Sequence, residues 1–152
     1  MLALHPFRRF RSLCWLGLAI CLSACAWVGS FSARSHEQLT ALKATHLKSI
    51  DAQTQSERAR PWSADRLAQE ADALDLRFRE ALEYAQSLDD PMRIQQLRRL
   101  REVWAQDLQL MQGKQRLLQA QEAQILSDAI TLAYDLAIRA ECARTNSHCR
   151  SR

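Results

Sequence analysis

The residues that could do chemistry in this chain are few, and their spacing keeps them apart. His36 and His46 are ten positions apart, roughly three helical turns, which is too far for two ligands of one metal ion. His46 borders an apolar stripe and is read as a histidine on a helix rim. A di-metal helical bundle needs a glutamate followed three residues on by a histidine, and no such pair occurs. Glu80 and Glu83 share a helical face, as do Asp72 and Asp75, but Arg77 and Arg79 lie beside them. These are read as solvated surface pairs. No Ser-His-Asp pattern stands out, and there is no glycine-rich phosphate loop. The expectation is a non-catalytic protein with no metal and no cofactor. Candidates for partner contact are Trp62, at the break made by Pro61, and the basic cluster Arg98, Arg99 and Arg101, because aromatic and arginine side chains are enriched at binding hot spots. Trp104 is expected in the core.

The cysteines carry more information. Arg8, Arg9 and Arg11 precede an uncharged apolar run from Leu13 to Leu22, followed by the small residues Ser23 and Ala24 and then Cys25. That run is short for a membrane span, which takes roughly 20 residues. A cationic start, an apolar core and small residues at the end are the parts of a secretory signal. Leu22-Ser23-Ala24-Cys25 resembles the lipobox of bacterial lipoprotein signal peptides. The resemblance implies cleavage between Ala24 and Cys25 and a diacylglycerol thioether on Cys25, usually with a further acyl chain on its amine. Such an anchor is effectively permanent, since each buried methylene contributes about 0.8 kcal/mol. In these lipoproteins an aspartate after the cysteine favours the inner membrane. Ala26 stands there instead, so the resemblance points to the periplasmic face of the outer membrane. An uncleaved signal anchor and an inner-membrane location are the alternatives. Leu39 to Leu47 also resembles a segment of small helical lipoproteins of uncharacterised function, and implies no activity.

On that reading Cys14 and Cys21 leave with the signal peptide. Cys142 and Cys149 then remain as a pair in an oxidising compartment, where a disulfide is the leading expectation. His148 beside them does not complete ordinary zinc spacing. Charge changes too. The chain has 21 Lys+Arg against 17 Asp+Glu, but without Arg8, Arg9 and Arg11 the balance is 18 against 17. A near-neutral mature chain gives no argument for nucleic acid. What stays basic is the C-terminal tail, with Arg139, Arg144, Arg150 and Arg152 against Glu141.

The elements follow from composition and period. Leu, Ala, Gln, Arg and Glu dominate, glycine and proline number three each, and no alternating β-branched run occurs, so the fold is expected to be all-α. Ser35 to Gln38 fits a capping box, opening a helix with Leu39, Leu42, Leu47 and Ile50 on one side. Ser63 caps a second helix, whose seam is Leu67, Ala71, Leu74, Phe78, Ala81, Ala85 and Leu88. Asp89-Asp90-Pro91 stops it and starts a third. From Pro91 to about Ala143, Leu97, Trp104, Met111, Leu118, Ile125 and Leu132 recur every seven residues. The companion positions Ile94, Arg101, Leu108, Gln115, Glu122, Ala129 and Leu136 are mixed. Arg101, Gln115 and Glu122 are read as rim residues with their heads in water.

Two architectures compete. Residues 35–88 and 91–143 could form an antiparallel hairpin of roughly 75–80 Å, at 1.5 Å per residue. Alternatively both arms fold back near Pro61 and Gly113 into a small bundle of three to four helices. The bundle is preferred because it hides several seams together. The expected layout is a signal helix at 1–24, a lipidated tether at 25–34, a helical domain at 35–143 and a basic tail at 144–152. The expected role is an accessory or assembly factor that works by helix-mediated contact with an envelope protein or with itself. The alternative is a factor excluding phage or conjugation at the envelope.

Overall fold

The computed structural model describes residues 30–55 and 61–144. The signal segment, Ala24, Cys25 and Cys149 lie outside the described residues. Within them the chain is an all-α bundle of four helices: α1 (Ala33–Ala52), α2 (Ala64–Ser87), α3 (Pro91–Lys114) and α4 (Ala120–Cys142). The compact alternative is the one adopted. Among the described residues no helix is long and apolar enough to cross a membrane.

Each start is fixed by a side chain. Ser32, not Ser35, caps α1: its hydroxyl accepts from the Ser35 N–H at 3.2 Å. Tertiary partners move the start forward, since the Ser32 N–H donates to Glu141 and its hydroxyl meets Tyr84. Ser63 caps α2, with Asp65 in the first turn, where the positive end of the helix favours an acid. Asp90 caps α3 with Pro91 directly inside, where the missing proline N–H costs nothing.

The core follows the sequence seams as far as residue 118. Leu67, Ala71, Leu74, Phe78, Ala81 and Ala85 of α2 are buried, as are Leu97, Trp104, Met111 and Leu118. Leu88, placed last on the α2 seam, is instead exposed, because α2 ends at Ser87. The three alanines of that seam let neighbouring helices approach closely.

The break near Gly113 resets the rest. Gln115 takes a left-handed φ of 49° and ends α3. Leu118 then runs parallel to Thr54: its N–H donates to the Gln53 carbonyl and its carbonyl accepts from the Gln55 N–H, both at 2.8 Å. This stitches the end of α1 to the α3–α4 turn. Glu122 draws the turn together by accepting from Lys114, Arg116 and the Gln119 N–H. Helix α4 restarts with a different face inward: Ala123, Ile130, Tyr134, Ala137 and Glu141. Ile125 and Leu132, expected on the buried seam, therefore point to solvent, and so does Leu136. The seven-residue reading assumed an unbroken helix, and the non-helical residues before Ala120 put it out of phase.

Candidate functional site

Three regions could carry function. The first is the pole where α1 begins and α4 ends. Arg93, 5% exposed, donates to both oxygens of Glu141, which is fully buried: Nε to Oε2 at 2.9 Å and Nη2 to Oε1 at 2.6 Å. Its Nη1 donates to Asp90 at 2.9 Å, and Nη2 also reaches the Ser30 carbonyl. Arg144 bridges Asp90 and lies 3.7 Å from Glu141. Arg34 stacks over the Tyr84 ring at 4.6 Å. Two acids and two arginines balance here, which is what makes burial of the charges tolerable. Burial pushes the Asp90 carboxyl up. Hydrogen bonds and charge from Arg144 and Arg93 outweigh that and hold it below the ordinary aspartate range. Burial works against the Arg93 charge, but Glu141 outweighs it and the guanidinium holds its proton more tightly than usual.

The second region is inside the core. His46 is fully buried, which corrects its assignment to a helix rim. Its ring meets Trp104 edge-on at 4.9 Å and Tyr134 at 5.9 Å. Its Nε2 lies 3.1 Å from Asp107 Oδ2, yet the pair is not aligned as a hydrogen bond. Both His46 nitrogens, Asp107 Oδ2, Trp104 Nε1 and the Tyr134 hydroxyl are buried without a hydrogen-bond partner. Burial, with Asp107 adding to it, raises the Tyr134 phenol, so it stays protonated. The sequence cue for His46 was present. It sits four residues after Leu42 and four before Ile50, on the inner stripe.

The third region is the outer surface. Between α2 and α3 runs a groove of about 600 Å³ lined by Asp75, Leu82, Arg98, Arg101, Glu102 and Leu108, among others. Two of the three arginines singled out in the sequence, Arg98 and Arg101, thus share a groove, and Arg99 does not line it. Arg101 pairs with Asp75 at 3.2 Å, and both remain largely solvated, so that pair adds little. On α4, Ile125 is 62% exposed, Leu132 58% and Leu136 57%. With exposed Ala129 between them, they form one outward stripe opposite the buried face of that helix. A helix that is apolar on both sides is suited to burial on both sides.

The remaining candidates fall as follows. Trp62 is half-buried, its indole N–H enclosed without a hydrogen-bond partner. Trp104 is core, at 1% exposure. Cys142 is disulfide-bonded. Arg101 and Gln115 are exposed and Glu122 half-buried, in keeping with a rim position. Among the described residues no group of three or more His, Cys, Asp or Glu is placed to hold a metal ion. The sequence matches no protein-family model, no curated protein and no solved structure.

Proposed function

We propose that this chain is a non-catalytic lipoprotein, held by lipid on Cys25 at the periplasmic face of the outer membrane, that works as an accessory or assembly factor through helix-mediated protein contacts. The observation that carries the contact reading is the outward stripe Ile125, Ala129, Leu132 and Leu136. These residues take no part in the core of the bundle, and contiguous exposed apolar surface marks interaction sites. The lipid reading rests on Leu22-Ser23-Ala24-Cys25. It fits a bundle whose described ends, Ser30 and Arg144, are gathered at one pole by Arg93, Asp90 and Glu141. A tether leaving that pole keeps the flank of α4 clear of the bilayer.

Two measurements test it. Labelled palmitate should be incorporated by the full chain and lost in Cys25→Ala, which should also leave the membrane fraction. Affinity purification of the full chain should recover a stoichiometric partner, lost on Leu132→Glu. Absence of label together with unchanged fractionation of Cys25→Ala overturns the anchor. A chain that stays monomeric and recovers nothing overturns the contact role.

A further inference from the structure

We propose that the pole where α1 begins and α4 ends rests on the phospholipid surface, with Leu88 and Met92 set among the headgroups. That stance presupposes the lipid reading above and adds how the bundle stands on the bilayer. The point of attachment is fixed to the bundle. The Ser30 carbonyl accepts from Arg93, the Ser32 N–H donates to Glu141 at 2.8 Å, and the Ser32 hydroxyl meets Tyr84 at 2.9 Å. From Cys25 to Ser30 the chain advances five residues, a reach of at most about 18 Å when fully extended. The headgroup layer, roughly 5–8 Å deep on each side of a bilayer, takes up much of that reach.

The linker and the pole match in chemistry. No charged residue stands between Cys25 and Arg34, and Ala26, Trp27, Val28 and Phe31 are apolar. Such a linker favours the interface over open water, and tryptophan is enriched at headgroup depth. The bundle meets it with apolar groups of its own. Leu88, 40% exposed, closes α2, and Met92, 55% exposed, follows Pro91 at the start of α3. Asp90, between them, bonds Arg93 and Arg144, which sets both at the same tip as Ser30 and Arg144. The buried charges of Asp90, Glu141, Arg93 and Arg144 answer one another, so lipid contact leaves none of them unpaired. Exposed Asp89 and Arg34 offer one charge of each sign, suited to the ammonium and phosphate of a phosphatidylethanolamine headgroup. Two apolar side chains make a small contact. The anchor makes that contact intramolecular, and effective concentration then stands in for affinity.

Full-length Met92→Cys is purified with its lipid, labelled with an environment-sensitive fluorophore and placed in vesicles of phosphatidylethanolamine and phosphatidylcholine. Leu110→Cys is the reference, since Leu110 is also exposed on α3 and lies about 27 Å further along at 1.5 Å per residue. The unsubstituted chain sets the background from native cysteines. The expected result is a blue shift at Met92→Cys and loss of its emission to nitroxide-labelled phospholipid, with neither at Leu110→Cys. The signal should persist in high salt, because the contact is chiefly apolar. Adding Leu88→Asp should reverse the shift while circular dichroism retains the helix content. A signal that disappears with salt or survives Leu88→Asp overturns the apolar contact. Equal or greater quenching at Leu110→Cys overturns the upright stance. No quenching at either site, in protein that still floats with the vesicles, overturns the docking and leaves the anchor standing. Protein that carries no lipid and does not float overturns both.

Discussion

Arg93 and Glu141, 48 positions apart in sequence, meet in two parallel hydrogen bonds at 2.9 and 2.6 Å, both side chains out of solvent. The Ser32 N–H donates to the same carboxylate at 2.8 Å, so one glutamate joins the starts of α1 and α3 to the end of α4. Removing one partner of a buried pair leaves the other charge uncompensated. Glu141→Ala is expected to cost about 3–5 kcal/mol, while the double replacement Arg93→Met with Glu141→Leu should recover most of that loss. Urea unfolding of the two variants checks it. An additive double variant would mean the pair is not coupled.

Stability should fall with acid in a defined window. Asp90 titrates below the ordinary aspartate range when folded, and Glu122 is held at about 2 by hydrogen bonds from Arg116, Lys114 and the Gln119 N–H. A carboxyl with a lowered folded value stabilises above its unfolded value, about 4, and that stabilisation disappears as pH drops through the folded value. Unfolding midpoints should therefore hold between neutrality and about pH 5, then decline towards about pH 2. Asp90→Asn should be less stable at neutral pH and less sensitive to acid. A midpoint that is flat down to about pH 2.5 contradicts this.

The core histidine should be costly to truncate and cheap to replace by a hydrocarbon of similar shape. His46→Ala removes contacts with Trp104 and Tyr134 and opens a cavity, for about 2–4 kcal/mol. It also leaves Asp107 beside an emptied site. His46→Leu with Asp107→Leu removes both poorly satisfied polar groups and is expected to be near neutral or stabilising. Thermal unfolding distinguishes the two. A double variant as damaged as His46→Ala would show that the polar pair contributes more than packing.

Glycine and left-handed backbone fall at neighbouring but different positions. Gly113 lies within α3, and a Cβ built there meets nothing within 4 Å. Gln115, two residues on, has the positive φ that glycine adopts without strain. Gly113→Ala should stabilise by about 0.4–1 kcal/mol, and Gln115→Gly should stabilise as well by relieving the left-handed strain. Melting temperatures of the two single variants check this, and a drop in either contradicts the backbone argument.

Much of the bundle was legible because its signals are local. Ser63, Asp90 and Pro91 announce helix starts through capping chemistry, and the α2 seam through Ala85 is a plain helical period. What escaped depends on distant partners. Ser32 displaces Ser35 as the cap because Glu141 and Tyr84 hold it from the other end of the fold. His46, in step with Leu42 and Ile50, carried a local cue to an inward position, and only the side chains that enclose it, Trp104 and Tyr134, come from distant helices. The two apolar stripes of α4 compete for the core, and only the turn at Gln115 decides between them. The Arg93–Glu141 pair had no sequence signal, since nothing in a single chain marks which arginine meets which acid.

The gathering of Ser30 and Arg144 at one pole also governs how the bundle bears force. A pull between the two ends enters beside Arg93 and Glu141 and draws α1 away from α4 across their shared length. The contacts then open in succession, Ser32 with Glu141 before Lys43 with Asp135 and before His46 with Tyr134, as teeth part along a zip. Extension should therefore proceed at low, stepwise tension, and the Arg93 guanidinium is the latch that must release first.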